Sequence, residues 1–434
     1  MATRYIKRKT SRLYTNDTGD SIEQVLIFGE EIKTSGQILN GRIKALYRDK
    51  YEGFIKTDHI SKKAELEIYF IDVGQADSAF IVTPGRKKIL VDGGGNNQTE
   101  GFLSWKYQLA NSNSEKLVID LLVLSHADGD HLKGLIPILE HDKIEIKQII
   151  HNGIGTFKGM DKTSGNLSTD GEFLKTYHSS TNDLNGLTLT NNFKKWIDLV
   201  KNFNIPYKAV SHETGDLVIG DPNIQLQILG PIIDRDQNNK SHLKWFKNHS
   251  HTINGHSIFF RLIYEDIRIM FSGDINIEGG KHALENQIIS TKLDSHVFKT
   301  PHHGSHEFHL PFLEAVRPQI SVISSGDSPD HGHPRANFIG AIGLASRSKL
   351  PLVFSTEIAA TFIDAKEVDL ENVLNPNTIR TKDLKKARLF KKKLHGMINI
   401  RSDGKDLYAM RRVNTGYWWE SYGPMKAENI PTIF

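Results

Sequence analysis

Between Leu121 and Leu135 the sequence LLVLSHADGDHLKGL passes from an apolar run directly into His126, Asp128, Asp130 and His131. Imidazoles and carboxylates packed this densely compete for protons unless a cation sits among them. A divalent metal is the simplest reading. The mixed nitrogen and oxygen donors suit zinc, with manganese or iron as alternatives. A polar turn that happens to hold two histidines is the plainer explanation, but four such side chains within six positions at a strand end favour the metal.

Later stretches repeat this grammar of an apolar strand followed by ligand-type residues. NGHSIFFRLIYEDIRIMFSGDI reads as a hairpin ending at Gly273-Asp274. VFKTPHHGSHEFH brings Lys299, His302 and His303, and QISVISSGDSPDHGHPRANF brings His331 and His333. Such a pattern predicts that these ends converge on one edge of a β-sandwich, where loops cluster. His151 closes another apolar run, Ile144 to Ile150, and is either a further ligand or a surface histidine.

The elements that must hold these groups are legible in outline. LEIYFIDVGQADSAFIVTPGRKKILVDGGG reads as strand, tight turn, strand, turn, strand. Pro84-Gly85 makes a hairpin there, and Gly93-Gly94-Gly95 a loop that permits close backbone approach. Residues 152 to about 190, rich in Gly, Ser, Thr and Asn, read as a long loop over the site. Phe193 to Phe203 reads as a helix with Trp196, Ile197, Leu199 and Val200 on its apolar face.

His-x-Asp-x-Asp-His at 126–131 resembles the signature loop of the metallo-β-lactamase superfamily, usually His-x-His-x-Asp-His. Asp72-Val73-Gly74-Gln75 with Asp77, Asp92-Gly93-Gly94, the Gly273-Asp274 turn, Pro301-His-His-Gly-Ser305 and Gly332-His-Pro334 are similar to segments of the hydrolase domain of ComEC-type DNA-uptake proteins. Ala76 stands where those relatives carry Gly. The resemblance covers roughly residues 65–357 and 396–412, and does not extend to the membrane channel of the uptake proteins.

That resemblance implies an α/β fold, a metallo-β-lactamase-like αββα sandwich, with metal ligands His126, Asp128, Asp130, His131, Asp274 and His303. Asp130 and His131 would serve one metal, His126 and Asp128 the other, with Asp274 between them. The oxygen of Asp128 in place of an imidazole tolerates manganese better. Two Zn2+ ions, with Mn2+ as the alternative, would share an activated water about 3.5–4 Å from each other. Catalytic candidates are Asp130, His302 as a substrate contact, His333 as proton donor or oxyanion partner, and Lys299 as a phosphate partner. Their plainer roles are a loop histidine held by Pro334 for His333 and a snorkelling strand-end lysine for Lys299.

The chain has 434 residues, 38% hydrophobic and 24% charged, ordinary values for a soluble globular protein. No apolar run is long enough to span a membrane. The basic N-terminus MATRYIKRKTSRLY lacks the apolar core of a secretory signal, so the cytoplasm is the expected location. With no cysteine, any metal must rest on His, Asp or Glu. A net charge of +4 permits an anionic substrate without demanding one.

Three regions are expected. Residues 1–62 read as short strands, and ALYRDKYEGFIKTDHI resembles the last strands of a bacterial SH3-like β-barrel, a candidate site for a protein partner. Residues 63–412 form the hydrolase domain, with an insertion at about 358–395 carrying the basic run Lys382 to Lys393. Residues 413–434 are a C-terminal tail. The expected function is a metal-dependent phosphodiesterase or nuclease, with nucleic acid or another phosphodiester as substrate and the basic run as a phosphate contact. Two alternatives stand beside it. One is a hydrolase of small esters, of the phosphorylcholine esterase, lactonase or cyclic-nucleotide phosphodiesterase type. The other is a regulatory binding module with a vestigial metal site.

Overall fold

The structure, a computed structural model, describes residues 1–235, 241–326, 332–356, 396–412 and 419–427. The basic insertion at about 358–395 and His331 lie outside the described residues.

Two mixed sheets face each other. The first has nine strands, in the order 207–209, 149–151, 121–124, 88–91, 79–82, 66–70, 398–402, 406–412 and 419–426. The second has seven, in the order 216–217, 224–228, 260–264, 267–271, 297–299, 320–323 and 352–355. Residues alternate across each strand. Leu66, Ile68 and Phe70 therefore meet Leu226, Ile228, Phe260 and Phe271 in the core between the sheets. Phe80, Leu90, Leu122 and Leu124 point the other way, into a second core with Leu135, Trp196, Ile197 and Val200. Met270, Phe298, Phe312 and Phe338 form the equivalent layer outside the second sheet. Helices thus cover both outer faces, which is the αββα arrangement expected.

Several local readings need correction. Ile144 to Ile150 is not one strand: Ile144–Ile146 pairs with Leu117–Ile119 in a separate two-stranded ribbon, and Ile149–His151 alone joins the large sheet. The strands at 352–355 and 398–402, read as a closing pair, belong to different sheets. The segment read as a tail contains strand Trp419–Lys426, which pairs with Asp406–Arg412 and forms the edge of the first sheet. The stretch 152–190 is largely loop, but it is tied down: Ile154 and Leu174 pack with Leu243 and Ile253.

Residues 1–61 form a curled seven-stranded antiparallel sheet around Ile6, Leu13, Leu26, Ile32 and Ile55. Its order runs from Ile22–Ile27 at one end to Ile60–Ser61 at the other, so the described ladder is open and no closed barrel is found. Among the described residues no helix is long and apolar enough to cross a membrane.

Candidate metal centre

Parallel strands Lys88–Val91 and Leu121–Leu124 deliver Asp92 and the ligand loop to the same end of the first sheet. Across the sandwich, parallel strands Ile267–Phe271, Val297–Lys299 and Ile320–Ile323 deliver Asp274, His303 and the 324–335 loop to the facing end. Two close approaches make the meeting feasible. A Cβ on Gly134 would lie 1.9 Å from Gly93 O, so this glycine lets the ligand helix sit on the glycine loop. Gly273 has φ +50, and a Cβ there would press on Ser257 at 2.7 Å.

Four of the expected ligands converge. Asp274 Oδ2 lies 3.3 Å from His131 Nε2 and 3.1 Å from His303 Nε2. Asp130 Oδ2 lies 3.3 Å from His303 Nε2 and 4.0 Å from His131 Nε2. One ligand atom from each of Asp130, His131, Asp274 and His303 fits within a 4.8 Å sphere of mutual distances. His126 and Asp128 stand beside them, with Nε2 and Oδ2 3.8 Å apart and the His126 ring 4.0 Å from that of His131. Asp128 and Asp130 keep 32% and 39% of their side chains exposed, so this is the side open to a substrate.

Each imidazole is aimed by its other nitrogen. His131 Nδ1 donates to Asp92 Oδ2 at 2.9 Å, and Asp92 in turn accepts from the Ser125 backbone N–H at 2.8 Å and hydroxyl at 2.7 Å. His303 Nδ1 donates to the Ser324 carbonyl at 3.0 Å. His126 Nδ1 contacts the hydroxyls of Ser125 and Ser257 at 3.0 and 3.4 Å. That leaves the Nε2 atoms of His126, His131 and His303, with Asp274 Oδ1, buried without a hydrogen-bond partner. Orphaned nitrogens beside buried carboxylates are the donor set of a divalent cation, and second nitrogens held this way are how proteins orient metal-binding histidines.

The protonation pattern agrees. Burial opposes charge on His131 and His303, yet Asp274, with Asp92 for the one and Asp77 for the other, holds both well above the ordinary imidazole range. Protons there balance charge that a cation would balance. His126 is pushed down to about 3 by burial and then by His131, so it is a neutral imidazole fit to ligate. Asp128 is pushed up to about 7 by burial and by Asp130.

The remaining candidates are placed as follows. Lys299 is buried and ion-paired to Asp77, and also donates to Gly273 O at 3.3 Å, so its charge is spent inside the protein. His302 follows the same turn as His303, both with left-handed backbone (φ +48 and +52), and its Nε2 lies 3.4 Å from Asn254 Nδ2. Burial lowers its pKa. His333 contacts Gln75 Nε2 through Nδ1 at 2.9 Å, and its ring lies 6.0 Å from His302 and 6.5 Å from His303. His151 stacks between Tyr207 at 3.8 Å and His178 at 4.6 Å, and is not part of the ligand cluster.

Sequence reasoning did not give functions to Asp77, Asp92, Ser125 or Ser257. Asp92, Asp77 and Ser125 lie in stretches already singled out, so position next to a strand end was the available signal. For Ser257 no such signal existed.

Residues 71–326 match the family model described as metallo-beta-lactamase superfamily, and the chain belongs to that family of hydrolases. Among curated proteins, ComE operon protein 3 of Bacillus subtilis is 23% identical over 286 residues, which is 62% of this chain and 30% of that protein. The chain therefore spans less than a third of that relative. Among solved structures, a metal-dependent hydrolase of the beta-lactamase superfamily shares 11% identity, with 68% of this chain and 97% of that one covered and a TM-score of 0.34. A long form RNase Z from yeast shares 10%, with 73% and 44% covered and a TM-score of 0.35.

Proposed function

We propose that the chain is a divalent-metal-dependent phosphodiesterase whose substrate is nucleic acid. The observation that carries the proposal is the meeting of Asp130, His131, Asp274 and His303, from loops far apart in sequence, with their Nε2 atoms 3.1–4.0 Å from carboxylate oxygens. These four residues would hold one cation, and His126 and Asp128, sharing Asp274, would flank a second. Zinc suits the imidazoles, while the added carboxylates favour manganese. A divalent cation there lowers the pKa of water and polarises a phosphoryl oxygen.

The chain's own groups do the rest. Asp92 and the Ser324 carbonyl fix which nitrogen of His131 and His303 faces the site. His302, held neutral by burial, and His333 beside it are placed to bind the substrate and pass a proton to the leaving oxygen. Lys299 holds Asp77 in place behind His303. The resemblance to DNA-uptake hydrolases and the basic run at 382–393 support a nucleic-acid substrate. The N-terminal unit, read as SH3-like, is proposed to hold a protein partner, and the cytoplasm is the proposed location.

Purified protein with manganese or zinc is expected to hydrolyse bis-p-nitrophenyl phosphate, and Asp274→Ala to abolish that turnover. Nicking of plasmid or single-stranded DNA that fades at raised salt would select nucleic acid. Cleavage of the small diester without nicking would move the reading to small esters. No hydrolysis of either would overturn it.

A further inference from the structure

The curled N-terminal sheet lies against the outer face of the first sheet, where Glu67, Tyr69, Asn399 and Arg401 project. Glu67 pairs in register with Arg401, and Tyr69 with Asn399, while the alternate residues Ile68 and Ile400 point into the sandwich core. Arg86 to Glu31 at 2.5 Å and Trp419 Nε1 to Val25 O at 3.3 Å tie the two units together. A cavity of about 140 Å³ opens along this seam, and it shares no residue with the metal centre.

The charges around the cavity are already matched. Glu67 accepts from Arg86 at 2.9 Å, Tyr69 at 2.6 Å and Lys106 at 3.2 Å, and pairs with Arg401 at 3.1 Å. Glu30 accepts from the Ile27 N–H at 2.9 Å and from the Tyr47 hydroxyl. Lys33 pairs with Asp49 at 2.7 Å. Arg48 lies on the Trp105 indole, 3.5 Å from the ring centre.

One side chain breaks this pattern. Asn399 lines the cavity and is 0% exposed, yet neither its amide oxygen nor its amide nitrogen has a hydrogen-bond partner. The buried hydroxyl of Tyr107, on the same wall, is also without one. Buried polar groups are nearly always satisfied, because leaving them bare is expensive. Such an amide offers an acceptor and a donor side by side, which is how asparagine reads the edge of a base.

We propose that this seam is a binding site for a neutral one-ring heterocycle that presents adjacent donor and acceptor atoms, as the pairing edge of a pyrimidine base does. Asn399 reads that edge and the Tyr107 hydroxyl makes a third contact. Size limits the ligand to one ring, since an engineered cavity of about 150 Å³ holds benzene. Charge matching limits it to a neutral one, because an ion would be buried unpaired. Trp105 and Tyr107 supply aromatic surface for the ring.

Uracil is the probe, titrated into the full-length protein and read by calorimetry and by the rise in melting temperature that a native-state ligand produces. Saturable binding is expected for the wild type and for Asp274→Ala, so this result is independent of the hydrolase reading. Asn399→Leu is expected to weaken uracil binding tenfold or more while melting at or above the wild-type temperature, because an unpartnered amide has been removed. Tyr107→Phe is expected to weaken it by a smaller factor, and it decides the matter if Asn399→Leu fails to fold. Benzene, of similar size but lacking the polar edge, is expected to give no shift. Absence of uracil binding, unchanged affinity in the folded variants, or benzene binding as tightly as uracil would each overturn the proposal.

Discussion

His131 Nδ1 donates to Asp92 Oδ2 at 2.9 Å, so a carboxylate at the end of one strand decides which nitrogen of a ligand 39 residues away faces the metal centre. Without Asp92, the imidazole is free to turn or to take the wrong tautomer.

Asp92→Ala should therefore leave all the proposed ligands in place yet lower metal affinity roughly 10–100-fold, the usual effect of losing such a partner. Competition against a fluorescent zinc chelator measures it. Unchanged affinity would show that His131 is oriented by other contacts.

Lys299 was a candidate phosphate partner, but both it and Asp77 have side chains at most 6% exposed. Lys299→Met should strand a buried carboxylate and destabilise the fold by roughly 3–5 kcal/mol. Adding Asp77→Asn should recover much of that loss in urea unfolding. A Lys299→Met protein of normal stability but raised KM for substrate would instead assign the lysine to substrate.

The same residue shows what was readable beforehand. An apolar run ending in ligand-type side chains is a local pattern, so the 126–131 loop, Asp274 and His303 could be found from the chain alone, as could the two-sheet sandwich that brings them together. Long-range pairings leave no such trace. Nothing near Lys299 announces Asp77, 222 residues earlier, and nothing near His151 announces that Tyr207 and His178 enclose it. The open ends of the N-terminal sheet and the edge strand at 419–426 likewise depend on which strands pair, which strand-like composition does not specify.

His151→Phe should keep the stack with Tyr207 while removing both ring nitrogens. Bound-metal stoichiometry by mass spectrometry should then match the wild type. Loss of one equivalent would make His151 a ligand after rearrangement.

Glu67 gives an acid-stability prediction. Burial opposes its ionisation, but Lys106, Arg401 and Arg86 outweigh burial and hold its pKa well below the ordinary 4.5. A depressed folded-state pKa contributes stability that is fully present above the unfolded value and is lost as pH falls through the folded one. Wild type should thus exceed Glu67→Gln in unfolding free energy at pH 7, with the gap narrowing as pH drops below about 4.5. A gap that stays constant down to pH 3 would remove Glu67 from the acid response.

The central claim is that this chain builds a divalent-cation site from separate strand ends. Crystals grown with zinc and measured on both sides of its absorption edge test it most directly. The account expects an anomalous peak bounded by His131 Nε2, His303 Nε2 and the carboxylates of Asp130 and Asp274. A featureless map at that point, or a peak elsewhere with these side chains bonded only to one another, would contradict it.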